Sequence, residues 1–415
     1  MSLRAFGAFL LSALTSHAAT REAYVWQRQA GPEVTAALTA FQAQLDGCCV
    51  LAAEVAWTGG RMQVVRPPVD FTALKAWGKP VGLAVRIGAY GGKFAADDAT
   101  SRALGDLAVD VVARARAAGL VVAELQVDFD AAESKIAGYR TWLTAWRLRL
   151  KETPLVFTAL PAWLKHAEFR QLARAASGFV LQVHSLEKPA GPDAPFTLCD
   201  PVRAMAWVRQ ADAAGVPFRV ALPTYGYVLA FDAAGKFLAL SAEGPRRSWP
   251  KGTQLRVVRA DAAAMTRLAR TITAAALPSC TGVIWFRLPV AGDRINWDAI
   301  TFATVLRGDV PVQRLDARVS WPEPRLAEIS IRNAGETTEP LPRTVTLRWS
   351  DGARVVAADG ISGFFLETRG GHAQGIVRAA EVPADASIAP GRETKIAWLR
   401  FEHDVSLDAV LPAPP

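Results

Sequence analysis

The sequence of 415 residues predicts an α/β fold, namely a (β/α)8 TIM barrel followed by a small C-terminal antiparallel β-sandwich of Ig-like type. Short apolar runs alternate with helical stretches from about Arg21 to Gly308, which is typical of βα units around a parallel sheet. The apolar runs carry polar residues mainly at their C-terminal ends, where (β/α)8 barrels build their active sites. After Val310 the pattern changes to short segments in which apolar and polar residues alternate.

The eight apolar runs are the predicted barrel strands. They are continuous rather than alternating, as expected for parallel strands that are buried on both faces. Their residues are 23–27, 50–56, 81–87, 121–129, 155–160, 179–184, 219–223 and 282–288.

Helices are predicted between most of these strands and after the last one. The link between the second and third strands, residues 58–80, carries at most a short helix at 71–77. A hairpin of 228–231 with 237–240, joined by the turn Asp232-Ala-Ala-Gly235, follows the seventh strand. The other helices are predicted at 32–45, 99–118, 134–150, 165–175, 201–214, 261–275 and 297–306.

The C-terminal segments predict a small antiparallel sandwich because Gly, Pro, Asn and Asp turns separate them. They comprise residues 312–321, 327–332, 343–349, 361–368, 375–380 and 395–401.

The first residues have the pattern of a secretory signal peptide. Arg4 supplies positive charge, residues 5–14 form a short apolar core, and Ser16-His17-Ala18 provides small residues for cleavage. We therefore expect a signal peptide at 1–18, a barrel domain at 19–308 and a sandwich domain at 309–415. The expected location is secreted or periplasmic, with no membrane span after cleavage.

Composition excludes several classes of function. The formal net charge is +8, but Lys and Arg are scattered, so we expect no nucleic-acid partner. The four cysteines, Cys48, Cys49, Cys199 and Cys280, are too few and too oddly spaced for a metal cage or a disulfide framework, although an exported compartment permits one bridge. No Gly-x-Ser-x-Gly elbow and no phosphate-cradling glycine loop is present, and we expect no metal and no cofactor.

The segment 121–130, Val-Val-Ala-Glu-Leu-Gln-Val-Asp-Phe-Asp, is the strongest functional signal. Side chains alternate faces along a strand, so Gln126, Asp128 and Asp130 share one face, and the two carboxylates lie about 6–7 Å apart along it. Burying two acids costs desolvation and repulsion, which favours a role in acid/base chemistry. One alternative is that Asp130, with Glu133 three residues later, forms a capping box for the next helix.

Other polar and aromatic side chains follow the predicted strands, and together they suit a carbohydrate partner. Pyranose rings offer an apolar C–H face for aromatic side chains and hydroxyls for polar ones. A second alternative is that Arg86 neutralises the acids in a structural ion cluster. The candidate binding residues are Trp26, Gln27, Trp57, Arg86, Gln126, Gln182, His184, Tyr225, Trp285 and Arg287, and Glu54 is a spare carboxylate.

The strand ends resemble those of the chitinase-type (family 18) glycoside hydrolases. That family carries Asp-x-x-Asp-x-Asp-x-Glu on the fourth strand, a Gly-Gly pair on the third, Pro-x-Tyr-Gly on the seventh and Trp on the eighth. The matching segments here are 121–130, 86–92, 222–226 and 282–285. The whole chain more closely resembles an uncharacterised bacterial family of secreted barrel proteins, which implies a fold but no activity.

On the chitinase signature, Asp130 takes the position of the acid Glu, Asp128 that of the neighbouring Asp, and Gln126 replaces another Asp. The family's Met-x-Tyr-Asp is here Gln182-Val-His-Ser185, so assistance by a substrate acetamido group is not expected. If the barrel is hydrolytic, Asp130 is the predicted general acid, Asp128 the ionised group that stabilises positive charge, and Glu54 the base or nucleophile. The alternatives are a catalytically inactive carbohydrate-binding barrel and an envelope-assembly protein.

Overall fold

The structure is a computed structural model that describes residues 19–185, 187–242, 249–350, 353–368, 374–383 and 386–412. The predicted signal segment, 1–18, lies outside the described residues.

A closed ring of eight parallel strands forms the first part of the chain, which confirms the predicted barrel. The ring runs β1, β2, β4, β5, β6, β7, β8 and β12, and closes because β1 pairs with both β12 and β2. The strands up to the end of the ring are β1 (Thr20–Val25), β2 (Gly47–Thr58), β3 (Arg61–Val65), β4 (Val81–Ile87), β5 (Val122–Phe129), β6 (Leu155–Ala159), β7 (Gly178–Gln182), β8 (Phe218–Pro223), β9 (Gly226–Phe231), β10 (Phe237–Ser241), β11 (Gln254–Arg259) and β12 (Cys280–Phe286).

Helices cover the outside of the ring and begin where aspartate caps occur in the sequence. Four aspartates cap helix starts: their side chains accept hydrogen bonds from backbone N–H groups of the first turn, which have no acceptor within the helix. They are Asp70, Asp98, Asp200 and Asp261. The α-helices are α1 (Pro32–Ala40), α2 (Phe71–Trp77), α3 (Ala99–Ala117), α4 (Ile136–Leu150), α5 (Ala167–Ala175), α6 (Pro201–Asp212), α7 (Ala262–Ala274) and α8 (Ala299–Leu306).

Two strands at the barrel rim are absent from the sequence prediction. β2 extends beyond the ring and returns as β3 through Gly59 and Gly60, whose φ values of 57° and 75° suit a two-residue hairpin turn. The predicted hairpin of β9 and β10 is present, and β11 adds to it as a third strand. These excursions lie on the connections after the second and seventh ring strands.

The C-terminal strands form two four-stranded antiparallel sheets around one core, in accord with a sandwich. The sheets are ordered β13-β14-β21-β17 and β18-β19-β16-β22, and buried Ile329 and Leu399 of the first share a core with Leu347 and Val377 of the second. The strands are β13 (Leu315–Glu323), β14 (Leu326–Asn333), β15 (Glu339–Pro340), β16 (Thr344–Trp349), β17 (Val355–Gly360), β18 (Phe364–Thr368), β19 (Gln374–Ala379), β20 (Ser387–Ile388), β21 (Glu393–Phe401) and β22 (Leu407–Val410).

All four cysteines are free thiols, and three of them are buried. Cys49 packs inside the ring, whereas Cys48 packs in the cluster between strands and helices, as expected for neighbours on a strand. Across the described ranges, no helix is both long and apolar enough to cross a bilayer.

Candidate active site

Polar side chains inside the ring form layers below the candidate acids. In the lowest layer Arg219 forms ion pairs with Glu22 and Glu124. Above it, the Tyr24 hydroxyl donates a 2.7 Å hydrogen bond to Oε1 of Gln126, and Nε2 of Gln126 donates a 2.6 Å bond to Glu124. Gln126 is fully buried, so the structure places it beneath the mouth, as a support for the acids above.

Asp128 lies in the next layer up, at the carboxyl end of β5. Oδ1 accepts a 2.8 Å hydrogen bond from Thr158 on β6, and Oδ2 lies 3.9 Å from Nε of Arg86 on β4. The side chain keeps 19% of its surface exposed, so it is accessible from the mouth. Burial, followed by the charge of Asp130, raises the pKa of Asp128 to about 6, although the Thr158 hydrogen bond and Arg86 act in the opposite direction.

Asp130 follows β5 and is an exposed residue. Its pKa is nevertheless raised, because partial desolvation of the carboxyl by nearby protein atoms outweighs the charge of Arg86. The predicted capping box does not form: no side-chain cap is present at the start of α4, and Glu133 instead contacts His166 Nε2 at 2.6 Å and Lys165 Nζ at 2.8 Å. Asp130 is therefore not occupied by helix capping.

Glu54 on β2 is held by two arginines. Nε and Nη2 of Arg28 lie 2.6 Å and 2.9 Å from its two oxygens, and Nη1 of Arg86 lies 3.1 Å from Oε1. The hydrogen bonds from Arg28 are the main cause that lowers the pKa of Glu54, against the effect of burial. Arg86 thus connects Glu54 to Asp128. The predicted ion cluster, in which Arg86 neutralises Asp128 and Asp130, does not hold: Arg86 opposes the rise in the pKa of each acid, but both pKa values stay raised.

An aromatic cluster lines the opposite part of the mouth, and its key member, Phe286, is absent from the sequence prediction. The Phe286 ring lies 5.3 Å from Trp26 and 5.5 Å from Tyr225, between centroids, and stacks on His184 at 5.7 Å. Trp285, predicted at the mouth, points the other way and packs on Trp297, 5.8 Å away, in the helical layer. On β12 both faces are apolar, so the sequence does not indicate which side chain faces inward.

His184 and Tyr225 form a buried polar group beside Phe286. The Tyr225 hydroxyl lies 3.2 Å from Nδ1 of His184 and 3.1 Å from the Tyr227 hydroxyl. Burial lowers the pKa of His184 to about 3, so the imidazole is neutral at physiological pH. Its Nε2 is buried and has no hydrogen-bond partner among the described residues.

The remaining predicted binding residues differ in accessibility. Gln27 donates a 3.1 Å hydrogen bond to the Leu288 carbonyl, and Gln182 donates a 3.2 Å bond to the His184 carbonyl. Trp57 is half-buried and lies 4.7 Å from Tyr90 between ring centroids. Arg287, by contrast, is buried at 6% exposure with Nη2 3.0 Å from Asp293, so it is not an open contact at the mouth.

The structure requires glycine in one of the two family-like glycine motifs, at Gly226, but not at Gly91 in the other. A Cβ at Gly226 would lie 2.5 Å from the Val258 carbonyl oxygen, so close packing of β9 on β11 requires glycine there. A Cβ at Gly91 would meet nothing within 4 Å, so packing does not require glycine at that position.

Comparison with known proteins identifies the family. Residues 77–291 match the family model described as domain of unknown function DUF3142. The match covers more than half of the chain, and the chain belongs to this family. No curated protein gives a significant match.

Among solved structures, similar ones are chitinases and a spore cortex-lytic enzyme. The C-terminal domain of a candidate chitinase from Desulfitobacterium hafniense matches with a TM-score of 0.51 and 13% identity, over 70% of this chain and 99% of that one. A chitinase from Chromobacterium violaceum matches with a TM-score of 0.48 and 19% identity, over 70% and 99%. The enzyme SleL from Bacillus cereus matches with a TM-score of 0.48 and 13% identity, over 70% and 74%. At such identities the likeness describes the barrel fold alone.

Proposed function

We propose that this protein is a glycoside-hydrolase-like barrel that acts on a polysaccharide through Asp128 and Asp130, and that the segment 1–18 directs it to the periplasm or the medium. The observation that carries the proposal is the pair of carboxyl groups with raised pKa at the carboxyl end of β5. In similar pairs one carboxyl group donates a proton to the glycosidic oxygen and the other, ionised, stabilises the charge that develops on the sugar.

In this proposal Asp130 donates its proton to the glycosidic oxygen as the bond to the anomeric carbon breaks. Asp128, ionised above about pH 6, stabilises the positive charge that develops on the sugar ring. A water molecule adds to the anomeric carbon and passes its proton to Glu54, which the lowered pKa keeps ionised. Glu54 would have to exchange one contact with Arg28, whose side chain is 63% exposed and free to move toward solvent.

The Phe286 and Trp26 rings support a carbohydrate ligand because they provide apolar faces across the ring mouth from the two acids. The neutral His184 imidazole contributes an unpaired Nε2 beside Phe286. Aromatic faces with a small number of polar groups are typical of sites for small or polymeric sugars.

The test compares the full chain with Asp130→Asn and Asp128→Asn on a panel of polysaccharides, with release of reducing ends as the readout. We expect Asp130→Asn to lose about 100-fold or more of the rate, the scale of general acid catalysis, while the fold is retained. Asp97→Asn, at an exposed site before α3, is the control. Unchanged turnover in Asp130→Asn would remove Asp130 from the mechanism.

A catalytically inactive carbohydrate-binding barrel is the second candidate, because Arg28 and Arg86 already occupy both oxygens of Glu54. The shorter side chain of aspartate at position 130 also favours it. Retention of a polysaccharide by the wild-type protein without any reducing ends would support binding over hydrolysis. An envelope-assembly role would show neither.

A further inference from the structure

Trp321 is the one tryptophan of the thirteen that is exposed, with 41% of its surface open to solvent. It lies on β13, the edge strand of the sandwich, and not in the barrel. The Phe401 ring lies 6.2 Å away between centroids, so the indole rests against the sandwich core. The indole is thus held on one side by the core while its other side stays open to a ligand.

The backbone around Trp321 has two irregular features that hold it in this position. Trp321 and Pro322 form a β-bulge, because two residues lie between the Ser320–Glu328 and Glu323–Leu326 pairs on β13 and only Ala327 lies opposite. The hairpin then turns at Pro324 and Arg325, and Arg325 has φ of 66°, in the left-handed region that favours glycine. Residues in such backbone conformations cluster at ligand contacts and switch regions.

The bulge and the turn border a groove of about 450 Å³, which Trp321, Pro322, Pro324 and Val405 line together with charged residues. The lining carries one cation, Arg325, and two anions, Glu323 and Asp404. Arg325 Nε lies 3.5 Å from Asp404, and Arg400, outside the lining, places Nη2 2.9 Å from Glu323, so each charge of the groove is balanced by a neighbour of opposite charge. Its polar atoms can both donate and accept hydrogen bonds.

We propose that this groove binds an uncharged polysaccharide chain, with a sugar ring stacked on Trp321 and its hydroxyls bonded to Arg325, Asp404 and Glu323. The C–H face of a pyranose suits the indole, and hydroxyl groups pair with carboxylate and guanidinium groups alike. An anionic glycan would gain nothing from a groove of balanced charge. The proposal does not depend on the barrel: a sandwich that holds a polymer does so whether or not the barrel cleaves it.

The experiment measures binding of the full chain to hydroxyethyl cellulose, glycol chitin and laminarin, with alginate as the anionic probe. Affinity electrophoresis and quenching of tryptophan fluorescence give the dissociation constants. The measurements are made in the Asp130→Asn background, so that cleavage in the barrel does not alter the polymer. We expect at least one uncharged polymer to bind, and Trp321→Ala to weaken that binding about tenfold or more, with Trp321→Phe intermediate.

The matched control is Phe365→Ala, since Phe365 is a 54% exposed aromatic on β18 of the other sheet and outside the groove. It should leave the dissociation constant unchanged, and thermal unfolding should show that both alanine variants are folded. The proposal is overturned if none of the uncharged polymers binds, if Trp321→Ala binds as well as its parent, or if only alginate is retained. A second copy of the chain is the competing occupant, and a wild-type dimer that Trp321→Ala converts to monomer without a change in glycan binding would also overturn it.

Discussion

Thr158 Oγ1 donates a 2.8 Å hydrogen bond to Oδ1 of Asp128, across neighbouring strands of the ring. The bond stabilises the ionised carboxylate, so it lowers the pKa of Asp128 and partly offsets the effects of burial and of Asp130. The acid is thus held near pH 6 by opposing contributions.

Removal of this hydroxyl should move the titration of Asp128 upward. Thr158→Val preserves the shape of the side chain and deletes the donor, so we expect the pKa of Asp128 to rise above about 6. Carbon NMR of the side-chain carboxyl groups over a pH series measures it. Thr144→Val, whose hydroxyl donates to the Arg140 carbonyl on an exposed face of α4, is the control and should leave the titration unchanged. An Asp128 titration identical to wild type would show that the bond has no electrostatic effect.

The raised pKa of Asp128 also predicts a pH dependence of stability. The folded-state pKa of about 6 lies above the ordinary aspartate pKa of 3.8, so the folded protein binds a proton more tightly than the unfolded chain. Stability from this group therefore rises as the pH falls from about 6 to about 4, and is lost above that window. The full effect is about 3 kcal/mol, from 1.36 kcal/mol per pKa unit.

Asp128→Asn should remove that dependence while keeping an oxygen that accepts from Thr158. At pH 8, where Asp128 is ionised, we expect the free energy of unfolding of the variant to rise relative to that of wild type. At pH 4, where Asp128 is protonated, this advantage should be absent. Urea unfolding of both proteins across this range measures the difference, with Asp97→Asn for comparison. A difference in stability between Asp128→Asn and wild type that is the same at every pH would contradict a raised pKa of Asp128.

Arg28 and Arg86 should have different effects on the pKa values of Glu54 and Asp128. Arg28→Met should raise the pKa of Glu54 more than Arg86→Met does, because its hydrogen bonds are the largest cause of the lowered value. Arg86→Met should raise the pKa of Asp128 more than Arg28→Met does, because the Arg86 guanidinium lies 3.9 Å from Asp128 and lowers its pKa. The same carboxyl NMR titration reads both. If each variant shifted the pKa of Glu54 and the pKa of Asp128 by the same amount, the two arginines would act through their general positive charge and not through specific ion pairs.

The sequence predicted the ring well because each strand is a continuous apolar run between clear helix signals. α2 occurs over Phe71–Trp77, as predicted, because Asp70 caps its start and Gly78 ends it with φ of 72°. β3 and β11 were missed, since both are short strands at sheet edges with many exposed residues and little apolar patterning. They form strands because they pair with β2 and β9, and this pairing cannot be read from the local sequence of either strand.

The inward face of a strand was predictable only where polar residues mark it. On β5, Gln126 and Asp128 share the inner face because hydrophobic neighbours take the outer one. On β12 every neighbour is apolar, so the prediction chose Trp285 where the structure has Phe286. Arg28 lies in a loop, and only the three-dimensional proximity of β2 indicates its pairing with Glu54.

The buried ion pairs at the base of the ring predict a large loss of stability for Arg219→Met. Arg219 is 11% exposed and faces Glu22 and Glu124, so its removal leaves carboxylates buried without compensation. We expect a loss of about 3–5 kcal/mol in the free energy of unfolding at pH 8, from urea titration. The control, Arg149→Met, removes a surface ion pair with Asp106 and should cost about 1 kcal/mol or less.

Two further measurements make the cause of this loss specific. Burial already raises the pKa of Glu22 and Arg219 opposes that rise, so without Arg219 the folded state should take up a proton and the loss should shrink as the pH falls toward 5. The combined variant with Glu22→Gln and Glu124→Gln should recover part of the stability at pH 8, because no buried charge remains. A loss that is the same at every pH and is not relieved by the glutamines would point to lost packing around the Arg219 stem, not to buried charge.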